Sequence, residues 1–151
     1  MSDKPVAEAP VSGSEHRVTP IVRDIRSMIA GLSPELQAGT FVFCATDDKA
    51  RMAACAPKAI GMFVEAEGVS FILPEADAAA LGFDCTTPMR QITLRVYSAL
   101  DGVGLTAAVS GELARQNIPC NMVAAYHHDH VFVPSAMAER ALQALSAMQA
   151  T

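Results

Sequence analysis

The chain has 151 residues, enough for one compact domain or two small, closely packed units. Apolar residues make up 51% of it, aromatics only 5%, and Trp is absent, so any core is built from Ala, Val, Leu, Ile and Met. A net charge of -5 argues against nucleic acid as the main partner, because a phosphate backbone needs a basic face.

Residues 1–19 are rich in Pro, Ala, Ser and Glu and carry no hydrophobic period, which predicts a disordered tail. They lack the apolar stretch of a secretory signal, and no run approaches the ~20 apolar residues that cross a bilayer. The expected location is therefore cytoplasmic, with no membrane partner. Pro20 suits a first helical position, and Ile21, Ile25, Met28 and Ile29 form one stripe of a helix that Gly31 stops. Leu32 to Leu36 reads as a short helical turn, with Ser33 as its cap ahead of Pro34. Thr40 to Thr46, TFVFCAT, reads as a strand buried on both faces. Asp47 to Pro57 is a polar and Ala-rich connection with room for a short helix after Asp47-Asp48. Gly61 to Pro74 is a hairpin whose turn holds Glu65, Ala66, Glu67 and Gly68, the glycine being free to take positive φ. Glu75 to Leu81 is a short helix, Gly82 its stop, and residues 83–89 a linker.

Arg90 to Ser98 alternates Ile92, Leu94 and Val96 with Thr93, Arg95 and Tyr97, the mark of a strand with one face on a helix layer. Val103 to Gln116 is a helix with Val103, Ala107, Val109 and Leu113 near helical spacing. Cys120 to Tyr126 and His130 to Pro134 are strands around a His-rich turn. Ser135 caps a last helix, Ala136 to Met148. Residues 40–98 thus read as one β-α-β-β-α-β unit, and residues 90–149 as another that lacks its last strand. The strand Arg90 to Ser98 counts in both. Two four-stranded sheets need eight strands and six are found, so the halves are expected to share or exchange strands, with Thr40 to Thr46 completing the second sheet.

The segment MRQITLRVYSALDGVGLTAAVSGELARQNIPCNMVAAYHHDHVFVP, Met89 to Pro134, resembles the ACT-domain family, and more narrowly small bacterial proteins of paired ACT-like units. GTFVFC at Gly39 to Cys44 and EGVSFILP at Glu67 to Pro74 resemble the N-terminal half of such proteins. The resemblance implies an α+β fold of two ferredoxin-like units, residues 20–88 and 89–151, with helices on one face of antiparallel sheets. It implies a regulatory module that binds an amino acid or related small molecule at an interface between two copies, hence a homodimer. The family signature is an acidic residue, Pro-Gly and an apolar residue between first strand and first helix. Asp101, Gly102, Val103, Gly104 and Leu105 stand there, with Val103 where Pro is common.

The loop from Ser98 through Leu100, Asp101, Gly102, Val103 and Gly104 leads into the helix that starts at Leu105. Its first N–H groups lack intrahelical partners and sit at the positive end of the helix dipole, so they suit a carboxylate. Gly102 and Gly104 permit close approach, Thr106 adds a hydroxyl, Asp101 would pair with an α-ammonium, and Asn121 would meet an amino or carboxyl group. The plain alternative is an ordinary tight β-α turn.

His127, His128, Asp129 and His130 read as a polar turn, with metal ligation or a pH response as alternatives. Cys44, Cys55, Cys85 and Cys120 have no CxxC spacing and read as buried free thiols. No nucleophile elbow, phosphate-binding loop or GxGxxG occurs. The expectation is a non-catalytic protein with no cofactor and no resident metal. Its alternatives are an assembly module without a ligand and, last, a metal-dependent enzyme using the His turn.

Overall fold

The computed structural model describes residues 24–96 and 103–150. The expected tail, residues 21–23 of the first helix and residues 97–102 lie outside these.

Helix α1 (Ile25–Ala30) begins at Asp24, whose carboxylate accepts from the Ser27 amide at 2.9 Å. Strand β1 (Ser33–Leu36) follows, where a helical turn was expected. The tertiary context decides this segment. Ser33 to Leu36 pairs antiparallel with Arg95 to Ile92, and the Gln37 amide extends the ladder to the Gln91 carbonyl at 2.8 Å. Glu35 and Arg95 close an ion pair across the ladder. Pro34 has no N–H to give, so a strand holding it belongs at a sheet edge. β1 pairs on one side only among the described strands.

Strand β2 (Phe41–Thr46) leads to α2 (Lys49–Cys55), capped by Asp48, which accepts from the Arg51 amide at 2.7 Å. The hairpin β3 (Gly61–Glu65) and β4 (Gly68–Pro74) stands as expected. Gly68 has φ +146°, and a Cβ there would lie 2.6 Å from the Thr46 carbonyl oxygen, so the position admits only glycine without a shift. Helix α3 (Glu75–Ala80), strand β5 (Met89–Arg95) and helix α4 (Leu105–Arg115) follow. The buried stripe of α4 is Leu105, Val109 and Leu113. Val103, expected on that stripe, precedes the helix and is 81% exposed. Strands β6 (Asn121–Ala124) and β7 (Asp129–Pro134) and helix α5 (Ala138–Ala147) complete the chain, with a short 3-10 turn on each side of α5. Ser135 does not cap: its hydroxyl donates to the Pro88 carbonyl at 3.0 Å.

Among the described residues the strands form one antiparallel sheet in the order β3-β4-β2-β5-β7-β6, with β1 also on β5. The fold is α+β, two ferredoxin-like arrangements side by side. β5 serves both. It meets β2 at a single pair, Phe41 and Met89, and runs along β7 from Met89 to Leu94. The strand that completes the second arrangement is β1, not β2. β2 pairs with β4 along its length, and its one partner on β5 is Met89, which removes the expected exchange.

The helix side of the sheet carries two cores. The larger joins Ile92, Leu94, Val131 and Val133 to Val109, Leu113 and Leu145, and draws in Met28 and Leu32 from the chain's start. The smaller joins Val42, Phe71 and Leu73 to Cys55 and Ala78. The other side holds a third cluster, Phe41, Ile72 and Phe132, with Met89 and Val123 against it. The Phe132 ring meets Phe41 and Phe43 edge-on at 6.0 and 5.2 Å, so the open face curls until β2 and β7 touch across β5. β2 is buried on both faces only at its start, since Phe43 remains 43% exposed.

Candidate functional site

Of the expected ligand-binding residues, Ser98, Leu100, Asp101 and Gly102 lie outside the described residues. Val103, Gly104, Leu105, Thr106 and Asn121 lie within them. Gly104 is the residue before α4, with φ +105°, and its carbonyl accepts the Ala108 amide at 2.9 Å. Its left-handed conformation explains a glycine here better than ligand access alone does. A Cβ at this position would stand 3.2 Å from Cδ1 of Ile25, so α1 lies directly against the start of α4. Leu105 is buried in the larger core and cannot touch a ligand with its side chain without leaving it. Thr106 is exposed, one residue further on.

The N-terminus of α4 differs from those of α1 and α2. Asp24 and Asp48 place a carboxylate on the free amides of those two helices. At α4 no described side chain caps the amides. α3 and α5 also lack a side-chain cap but carry acidic residues in their first turns, Glu75 and Asp77 in one and Glu139 in the other, whereas α4 has neither a cap nor a first-turn carboxylate.

Asn121 does not join this place within one chain. α4 runs for 11 residues, about 16 Å, from its start to the far end of the sheet, and Asn121 opens β6 there. Asn121 is exposed and in register with Phe132, on the face opposite the helices.

The His-rich turn is partly tied into the sheet. His130 sits on the open face opposite Thr93. Its Nδ1 lies 3.0 Å from the Gln91 amide nitrogen and 3.1 Å from the Thr93 hydroxyl. Burial holds its pKa below the usual imidazole value, and the charge of His128 adds to that, while Asp129 opposes it. Asp129, paired with Leu94 in the ladder, is pushed up by its own burial. His127 packs edge-on against Tyr126 at 5.0 Å. No group of three His, Cys, Asp or Glu among the described residues is placed to hold one metal ion. All four cysteines are free, and burial pushes the Cys44 thiol up to about 11, where it is a poor nucleophile.

Sequence reasoning missed one feature. A cavity of about 450 Å³ opens on the helix-free face, walled by Phe43, Phe63, Ile72 and Val123 over a floor that includes Ala45 and Ser70. The apolar runs of β2 and β3 do not single it out, and only the curl of the sheet brings Val123 to it. No helix among the described residues is long and apolar enough to cross a membrane.

An ACT-domain profile matches residues 21–90 and a second ACT-domain profile matches residues 86–147. No curated protein matches the chain. Among solved structures, a Vibrio cholerae protein of unknown function, described as a possible transport protein, is 36% identical with a TM-score of 0.73. The match covers 82% of this chain and 94% of that one. A Porphyromonas gingivalis domain described as a putative C-terminal regulatory domain of aspartate kinase is 16% identical, with a TM-score of 0.53, covering 78% of this chain and 96% of that one. The regulatory subunit of aspartate kinase from Thermus flavus is 13% identical at TM-score 0.51, with the same coverage of 78% and 96%. The last two likenesses are of fold.

Proposed function

The chain belongs to the ACT-domain family, and on that premise we propose that it is a non-catalytic, cytoplasmic regulatory protein that binds a small carboxylate, an amino acid or a close relative. The observation that carries this reading is the uncapped start of α4. A carboxylate there would accept from the first amides of the helix, near the exposed Thr106. The protein acts as a homodimer, and Asn121 serves the ligand only from the second copy. Binding shifts the population between two arrangements of the units, and a partner reads the difference.

Thermal unfolding against the twenty amino acids and common 2-oxo acids tests it. Ligand at ~100 times its Kd adds about 2.7 kcal/mol, a rise of several degrees for a chain of this size. Thr106→Asp supplies the missing carboxylate from the chain itself, at an exposed position. The variant keeps or slightly gains stability, by about 0.3–1 kcal/mol at low salt, and loses the ligand-induced rise. A full rise in Thr106→Asp would move the site elsewhere. Gly104 is a poorer probe, because any side chain there meets Ile25 and a positive φ before it meets a ligand.

Ile25 against Gly104 also favours a second reading, an assembly module in which α1 takes the ligand's place. It predicts no thermal response to any of these compounds and a stable dimer.

A further inference from the structure

The strand register explains the cavity on the open face. Gly61, Ile72 and Phe43 stand in one row across β3, β4 and β2, and Phe63, Ser70 and Ala45 stand in the next. The second row sets one large side chain beside two small ones, so a trough opens over Ser70 and Ala45. Ile72 leans over Gly61, where a Cβ would lie 3.1 Å from its Cδ1. Val123, from the second arrangement, joins the wall. Past Phe41, β2 has no partner on the β5 side among the described strands, so the trough lies where the two arrangements part. Ligand pockets favour such junctions, and about 450 Å³ is a volume that small molecules fill.

Two rings line the trough. Phe43 is held edge-on by Phe132 and is still part-exposed, and Phe63 is 72% exposed. A flat apolar guest would take the surface of both out of water. The polar end of the trough is acidic. Glu65 follows Phe63 by two residues on the same face, and its carboxylate accepts from the Ser70 hydroxyl. Ser70 has thus spent its one donor, and the two side chains have only acceptors and a negative charge left to offer. Glu65 has no cationic partner among the described residues.

We propose that this trough is a second ligand site, for a small organic cation that joins a flat apolar ring to an amine. The ring lies against Phe43 and Phe63 over Ser70 and Ala45, and the ammonium faces Glu65. Charge separates this guest from the carboxylate of the proposed function, because the α4 amides attract an anion and Glu65 attracts a cation. The site is complete within one chain and rests on neither the start of α4 nor a dimer. Burial of the ring supplies most of the affinity, since an exposed ion pair adds only about two- to fivefold.

Tryptamine is the probe that tests this, with the full chain. The protein has no Trp, so indole emission and its anisotropy report the probe alone. Wild type is expected to raise that anisotropy saturably. Uncharged 3-ethylindole binds wild type about two- to fivefold more weakly than tryptamine, and Glu65→Gln removes the difference. Phe63→Ala, at an exposed position, weakens tryptamine at least fivefold while circular dichroism stays native. Ala45→Phe fills the trough and weakens it further. No saturable rise with wild type, or an undiminished rise in Phe63→Ala, would overturn the site. Equal affinity of wild type for tryptamine and 3-ethylindole would overturn the cation as its guest. Tryptamine has no carboxylate, so each of these failures leaves the proposed function standing, and a missing thermal response to carboxylates leaves the trough standing.

Discussion

His130 shows how one side chain's setting becomes a property of the protein. Burial, followed by the neighbouring His128, keeps its folded pKa below 6.5. The folded protein therefore prefers neutral imidazole. The stability this confers is fully present above the unfolded pKa and is lost as pH falls from there toward the folded value. Asp129, raised above 3.8, has the opposite sign and acts lower, between its raised pKa and that of the unfolded chain. Urea midpoints should fall between pH 7 and about 5, and His130→Gln should flatten that slope. An equal slope in the variant would assign the effect to another group. Gly68 and Gly104 carry a different lesson at this scale. Each was legible as a turn glycine, but the Thr46 carbonyl that excludes a Cβ at Gly68 and the Ile25 side chain that crowds Gly104 come from distant segments.

At the scale of elements, the sequence pattern found the hairpin, the helices α2 to α5 and the strands β2, β5, β6 and β7, because each carries its own period or turn signal. It failed at Ser33 to Leu36. Ser-Pro after a glycine is a good helix start locally, and four residues are too few to show alternation. The choice lay with β5, whose second edge would be bare without β1. If β1 and α1 are integral to the second arrangement, Leu32 belongs to its core rather than to a tether. Leu32→Ala should then cost about 2–5 kcal/mol in chemical unfolding, the range of a buried Leu, and not the few tenths of a surface site. A cost below 1 kcal/mol would make the segment an accessory.

For the whole molecule, the consequence of a shared β5 and a curled sheet is coupling. Phe132 belongs to the second arrangement, yet its ring packs on Phe41 and Phe43 of the first. The chain should unfold in one transition by near- and far-ultraviolet dichroism alike. Phe132→Ala should lower that transition by about 3–5 kcal/mol without splitting it. Two separate transitions in wild type would mean that the halves fold independently and that the contact is incidental. The curl also gives the open face its cavity, with Val123 of the second arrangement against Phe43 and Phe63 of the first.

The sequence alone determined the class of fold and the order of elements from β2 onward, because these rest on local periods and turns. Its shortage of strands was also legible, six for eight places, but the strand expected to make it good, Thr40 to Thr46, was the wrong one. Only the tertiary structure decided which strand moves, since pairing β1 with β5 joins residues some sixty positions apart and leaves no local trace. It also decided that Asn121 lies at the far end from Gly104. The same holds for exposure on β3, where Met62, Phe63 and Val64 are apolar by composition yet 58%, 72% and 72% exposed.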